Sequence, residues 1–269
     1  MGNRALGMEK LLNARQLGGY KTADGRSIRR NVLLRSAKLA DASEGDIARL
    51  RDIYKLRRII DFRTSGEMAL GPDPEIEGVE YIRIKVIDED AGMGEVAKSI
   101  PGATLDIGAT IRGMLELIRG NYVNDRLYIE QIASESGRRG YRAFFDELLN
   151  HGDGAILWHC TSGKDRTGIA TVLVLTALGI DKETILQDFA LSNEFHARNV
   201  DYIMREAARF TDDERELEGM LVLAGVSRVY MEKMFDFVEE KYGSLLNYMQ
   251  REMGIAEEEI RALRDKYLA

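Results

Sequence analysis

AILWHCTSGKDRTGIATVLVLTALGI, residues 155–180, decides the reading of the fold. Ala155 to Cys160 is an apolar run of the length expected for a strand buried on both faces. Thr167 to Ile180 is apolar nearly all round, the pattern of a helix enclosed in a core. Only the residues from Thr161 to Arg166 separate the two. Strand, tight loop and buried helix in succession mark the centre of an α/β sheet. The single cysteine of the 269-residue chain stands where the strand gives way to the loop.

Outward from that centre the pattern is regular enough to organise. The residues before 40 read as irregular, with turn signals at Gly18-Gly19 and Asp24-Gly25. In DASEGDIARLRDIYKL, Ser43 and Asp46 stand at capping-box spacing, with Ile47, Leu50 and Tyr54 at helical intervals. RRIIDF and EYIRIKVI read as short strands on either side of the proline-containing GPDPE. From Asp88 the character changes: DEDAGMGEV is acidic and glycine-rich. TLDIGATIRGMLELI is helical although Gly108 and Gly113 interrupt it, each weakening a helix by roughly 1 kcal/mol. Residues 88–135 are therefore a candidate lid, with an ordinary surface helix pair as the alternative. YRAFFDELL predicts a helix, and everything after Asp181 reads as helical, giving a helical C-terminal part over 181–269. There Tyr230, Met234 and Phe237 recur at the spacing of a core face, and DDERE and EEE read as solvated helix starts. No repeat or linker divides the chain. Residues 1–269 predict one α/β domain, a central, mostly parallel sheet flanked by helices.

Composition narrows the function. Hydrophobic residues are 45% and charged residues 31% of the chain, the balance of a globular protein with a sizeable core. A net charge of −7 and a pI of about 5.3 argue against a nucleic-acid partner. An anion-binding site must then concentrate positive charge locally. One cysteine excludes an internal disulfide, and His151, His159 and His196 lack metal-ligand spacing, so neither metal nor cofactor is expected. MGNRALGMEKLLNARQLGG has no apolar core of a signal peptide, and no apolar run is long enough to span a bilayer. The expected compartment is the cytoplasm, or the outside after export without such a signal, with no stable membrane association.

The chemistry lies in the loop. A loop that leaves a strand and enters a helix turns its N–H groups inward and adds the positive end of the helix dipole, which makes a phosphate cradle. Thr161, Ser162, Gly163, Lys164, Arg166 and Thr167 are the predicted substrate-binding residues. Arg166 closes the cradle bidentately, and Gly163 lets the backbone turn beside the anion. Thiols in such a field ionise readily, and a thiolate attacks phosphorus well, so Cys160 is the predicted nucleophile. The Thr167 hydroxyl is placed to assist the thiolate as a leaving group, and His159 to order the loop. A rhodanese-type sulfurtransferase also uses a reactive cysteine in an anion-binding loop, usually a shorter one. A catalytically inactive phosphate-binding module is the third reading, which the presence of both Cys160 and Arg166 opposes.

HCTSGKDRTG resembles the cysteine-dependent protein tyrosine phosphatase superfamily. NARQLGG, LLRSAKLAD, IIDFRTSGE, LSNEF and YGSLLNYM resemble landmarks of a bacterial-type tyrosine phosphatase family related to the mycobacterial secreted phosphatases. The resemblance runs from about Asn13 to Leu268. It implies a single tyrosine-phosphatase-like α/β domain with a helical lid, and metal-independent hydrolysis of phosphomonoesters through a phosphocysteine. The substrates it implies are phosphorylated proteins and phosphoinositides.

A general acid must protonate the leaving oxygen. The only tryptophan, Trp158, lies on the strand, so the Trp-Pro-Asp motif of many tyrosine phosphatases is absent. Asp165 stands inside the cradle instead, and the resemblance implicates the aspartate of Lys-Asp-Arg in catalysis. Asp165 is thus the predicted acid, with a brace for Lys164 or another basic residue as the alternative role. Asp88 and Asp90 are the runners-up. Lys164 and Asp165 are expected to point to the rim, Lys164 as a mobile cation favouring phosphoinositides. Arg63 and Glu67, and Asn13 and Arg15, read as supports of the site or as plain structural pairs.

Overall fold

The computed structural model describes residues 4–88 and 107–269. Its centre is a five-stranded sheet: β1 (Arg15–Gln16), β2 (Leu33–Ser36), β3 (Leu56–Asp61), β4 (Glu80–Arg83) and β5 (Ala155–His159). The order is β1-β2-β5-β3-β4, with β1 antiparallel to β2 and every other pairing parallel. β5 is buried along its whole length between β2 and β3, as its apolar run predicts. His159 sits opposite Ser36 and Asp61, so the loop after it opens at the carboxyl end of the parallel strands. Open α/β sheets build their sites at that end.

Alternation along β5 divides the core in two. Ile156 and Trp158 join the larger cluster, while Ala155 and Leu157 join a smaller one with Leu34, Ile59, Leu50 and Leu6. The smaller face is covered by the N-terminal segment and α1 (Glu44–Asp52), whose start carries the expected Ser43/Asp46 capping box. Helix α2 (Ser65–Leu70) is capped in the same way by Thr64 and Glu67. The larger face is covered by α3 (Ile107–Arg119), α4 (Leu127–Ala133), α5 (Glu135–Asn150), α6 (Asp165–Leu178) and α7 (Lys182–Phe195), followed by the C-terminal helices. These are α8 (Ala197–Ala207), α9 (Glu214–Ala224), α10 (Arg228–Tyr242), α11 (Leu245–Glu252) and α12 (Glu257–Tyr267). Tyr230 and Met234 are buried, and Phe237 packs against the same cluster from a half-buried position. Asp213 caps α9, and Glu257 to Glu259 occupy the first turn of α12.

α6 is the helix that the sequence marked as enclosed, and nearly every residue from Thr167 to Leu178 is buried. Trp158 fixes it to the sheet, donating from Nε1 to Thr171 Oγ1 at 3.0 Å and meeting Phe144 edge to face. The C-terminus returns to the beginning of the chain: Ser27 and Ala269 exchange backbone hydrogen bonds of 2.8 and 2.9 Å.

Two expectations need correction. The region before residue 40 is not wholly irregular, since it supplies β1 and β2. Leu33–Ser36 is short and includes Arg35 and Ser36, so it shows no period; its strand state comes from pairing with β5. EYIRIKVI keeps strand pairing only over Glu80–Arg83. Most of the first half of the candidate lid lies outside the described residues, and its second half forms α3 and α4.

Candidate active site

The loop from Cys160 to Lys164 turns its carbonyls outward, one after another. Cys160 O meets His159 Nδ1 at 3.1 Å, and Thr161 O accepts from the Lys38 amide at 3.0 Å. Ser162 O accepts from His196 Nε2 at 3.0 Å and from Asn13 Nδ2 at 3.3 Å. Gly163 O accepts from Arg35 Nη2 at 2.7 Å and Asn13 Nδ2 at 2.8 Å. Lys164 O receives the Gly168 amide at 2.7 Å as α6 begins. In a trans peptide each N–H points opposite to the carbonyl before it. The amides of residues 161–165 are therefore turned to the concave side, together with the unpaired first N–H groups of α6. That is an anion cradle. Gly163 is obligatory in it: its φ is +65°, and a Cβ would stand 2.2 Å from Ser36 O.

The donors behind the loop are themselves anchored. Asp188, on α7, is fully buried and receives Arg15 Nε at 3.1 Å, Arg35 Nη1 at 3.1 Å and the Tyr20 hydroxyl at 3.0 Å. Arg15 Nη2 also donates to the Asp188 carbonyl at 2.9 Å. Burial opposes the charge on Asp188, yet Arg15 and Arg35 outweigh it and hold the carboxyl below its ordinary range. Burial, with Arg15 beside it, brings the Arg35 guanidinium down to about 9, so it stays charged at neutral pH. Burial keeps His196 neutral by pushing its pKa below the usual value, and Nε2 carries the hydrogen because a carbonyl can only accept.

In front of the loop, Arg166 is oriented by Glu67. Its Nη1 and Nη2 reach the two carboxylate oxygens at 2.6 Å each, and Nη1 also donates to Phe62 O at 3.1 Å. Nε–H and the second hydrogen of Nη2 have no acceptor among the described residues. Thr161 Oγ1 donates to the same carboxylate at 2.5 Å. Burial raises Glu67, but the Arg166 fork and Thr161 prevail and bring it down to about 2. Glu67 thus belongs to the site.

Asp165 opens α6 and accepts from the Tyr128 hydroxyl at 2.9 Å. The contact is with a neutral phenol from α4. Lys164 departs from expectation: its side chain is almost wholly buried, and its ammonium donates to Val222 O and Leu223 O at 3.3 and 3.1 Å. The negative end of α9 draws it inward, so it is not a free cation at the rim. Thr167 Oγ1 is buried without a hydrogen-bond partner among the described residues, and Cys160 is buried at the cradle's floor. Asp88 is exposed at the end of the described segment, and Asp90 lies outside the described residues.

Behind His159 lies a second buried cluster. Arg63 Nη2 reaches Asp61 Oδ2 at 2.8 Å and Asp73 Oδ2 at 2.7 Å, while His159 Nε2 lies 3.0 Å from Asp73 Oδ2 without hydrogen-bond alignment. Asp61, Asp73 and His159 bring ligand atoms within 4.8 Å of one another, but the Arg63 guanidinium already occupies the space between the carboxylates. Arg63 is structural.

The model of the tyrosine phosphatase family matches residues 6–269. The chain belongs to the tyrosine phosphatase family. It is therefore a phosphomonoester hydrolase, and the sulfurtransferase reading falls away. A Cupriavidus necator protein described as a tyrosine-protein phosphatase is 28% identical over 272 residues, covering 100% of this chain and 90% of that one. The triple specificity protein phosphatase PtpB of Mycobacterium tuberculosis is 27% identical over 261 residues, 88% of this chain and 91% of PtpB. A complex of P. aeruginosa TpbA with phosphotyrosine covers 74% of this chain and 89% of its own, at 16% identity and a TM-score of 0.29.

Of the residues marked from the sequence, Cys160, Thr161, Ser162, Gly163, Asp165, Arg166 and Thr167 do share one cradle. Asn13 and Arg15 support it. Arg35, Asp188, Tyr20, His196 and Tyr128 were not singled out. Arg35 lies within LLRSAKLAD, which gave it a place but no role; Tyr128 left no signal. Among the described residues no helix is long and apolar enough to cross a membrane.

Proposed function

We propose that Cys160 attacks the phosphorus of a bound phosphomonoester, phosphotyrosine first. The S–P bond forms as the P–O bond to the leaving group breaks. Arg166 and the inward amides hold the three equatorial oxygens, whose charge must be balanced in the transition state. Asp165 gives a proton to the departing oxygen, and water then cleaves the phosphocysteine, returning the thiolate and inorganic phosphate. The Thr167 hydroxyl, placed at the start of α6, assists the sulfur as it leaves. The observation that carries this reading is the run of outward carbonyls from Cys160 to Lys164, which leaves the amides of residues 161–165 on the concave side of the loop that begins at the thiol.

Phosphoinositides are the second substrate class. The likeness to PtpB, a triple specificity protein phosphatase, supports a range wider than phosphotyrosine. The chain acts as one phosphatase domain, with α4 beside the cradle as part of its cover. It works in the cytoplasm or after export, and meets lipid head groups only transiently.

The test is turnover of para-nitrophenyl phosphate in the presence of a chelator. Wild type should retain full activity there, and Cys160→Ser should have none while still binding inorganic phosphate. Residual turnover in Cys160→Ser would exclude the phosphocysteine route.

A further inference from the structure

The contact between Tyr128 and Asp165 joins the loop to helix α4, which lies outside the strand-loop-helix unit that forms the cradle. Asp165 accepts the Tyr128 hydroxyl on Oδ1 at 2.9 Å, which leaves Oδ2 as the oxygen free to face a leaving group. The hydroxyl donates to Asp165 from a ring that the surrounding core encloses on all sides. Its one hydrogen goes to Asp165. The ring is locked as well: Tyr128 is fully buried and packs edge to face on Phe189 of α7, with centroids 5.4 Å apart. Burial, then the neighbouring Asp165, raise the phenol well above its ordinary value, so it is a donor throughout the working pH range.

We infer that Tyr128 is the positioning residue for the general acid, holding the Asp165 carboxylate so that Oδ2 presents its proton to the leaving oxygen. This rests on the reading of Asp165 as the acid. A carboxylate at the first turn of a helix has two freely rotating bonds, and loss of geometry at a reacting group is costly in rate. Tyr128 holds Asp165, and Phe189 packs edge to face against the ring that carries the hydroxyl. The chain of contacts crosses from α7 through α4 to α6, so helix α4 is a working part of the site.

Tyr128→Phe removes only the hydroxyl and keeps the ring contact with Phe189. Rates are compared on an activated aryl phosphate and on an alkyl phosphate, whose leaving oxygen needs the proton. The expected result is a fall in kcat of roughly tenfold on the alkyl ester, well under threefold on the aryl ester, and an unchanged KM. In the Asp165→Asn background the same substitution should cost nothing further, because there is no acid left to position. Additive losses, or equal losses on both esters, would overturn the inference and leave Tyr128 as packing. If Asp165→Asn alone lost both activities equally, the acid assignment itself would fail first, and with it this proposal. Should the phenylalanine variant not fold, 3,5-difluorotyrosine at position 128 keeps the hydroxyl but alters its donation. The ratio of the two rates must then change, and an unchanged ratio counts against the proposal.

Discussion

Behind the phosphate loop, Asp188 binds Arg15 and Arg35 with all three side chains fully buried, whereas in front of it Glu67 forks Arg166 with side chains 20% and 14% exposed. Both are carboxylate–guanidinium pairs with good geometry, yet they answer different needs. The rear pairs never meet water or substrate. Their desolvation is complete, so they persist only because each charge is matched, and they have one arrangement. That rigidity is passed through Arg35 and Asn13 to Gly163 O, which sets the shape of the cradle. The front pair keeps an open side, and on the proposed reading Arg166 shares its donors between Glu67 and an incoming phosphate. On that reading one flank fixes form and the other responds to ligand.

The largest effect should follow from removing the rear charge. Asp188→Asn leaves Arg15 and Arg35 as uncompensated buried cations and should destabilise the fold by about 3–5 kcal/mol, measured by chemical denaturation. The pH dependence has a definite sign. Asp188 is held below its ordinary value, so its contribution is complete above the usual carboxylate range and is lost as pH falls through the depressed value. The Asn variant should therefore lose stability with acid less steeply than wild type. A loss under about 1 kcal/mol would break the comparison, since the rear network would then be as dispensable as a surface pair.

Glu67→Gln comes second. The neutral amide cannot hold both Arg166 nitrogens as acceptor, so the guanidinium plane is freed and kcat/KM should drop by roughly 10²-fold. Stability should change by only about 1 kcal/mol, because the pair is partly solvated. Glu67 is lowered to about 2, so its stabilisation is intact above the unfolded value near 4.5 and disappears between there and about pH 2. Wild type and variant should converge in stability over that window. A stability loss as large as that of Asp188→Asn would show that the front pair is a structural lock as well.

What the sequence disclosed of this site follows the range of the interactions. The cradle was legible because its parts are contiguous: an apolar strand, a glycine, an arginine at a helix start and a helix apolar on all sides. Asn13 and Arg15 were visible only as a motif of open purpose, since their partners Gly163 and Asp188 lie far along the chain. Asp188 itself sits in an ordinary amphipathic stretch, and nothing local tells a buried carboxylate from a solvated one there. β2 escaped notice because four residues with Arg35 and Ser36 among them carry no period. The neighbours of Lys164 in sequence place it at the rim, while the carbonyls that capture it belong to a helix nearly 60 residues away and leave no local trace.

Lys164 gives the smallest expected effect and decides which flank it belongs to. Its ammonium is shared between Val222 O and Leu223 O, where it also meets the negative end of α9. If that arrangement persists with substrate bound, Lys164 belongs with the rigid side, and the cation contributes nothing specific to a second phosphate. Lys164→Met keeps the apolar stem and removes the charge, so stability should fall by about 0.5–1.5 kcal/mol. Hydrolysis of a phosphotyrosine peptide and of a soluble phosphoinositide should fall together, by roughly threefold or less, as the end of α9 loosens beside the loop. A lipid rate reduced tenfold more than the peptide rate would mean that the ammonium leaves the helix end when a polyphosphorylated ligand arrives. Lys164 would then join Arg166 on the responsive flank, and α9 would have to move whenever such a substrate binds.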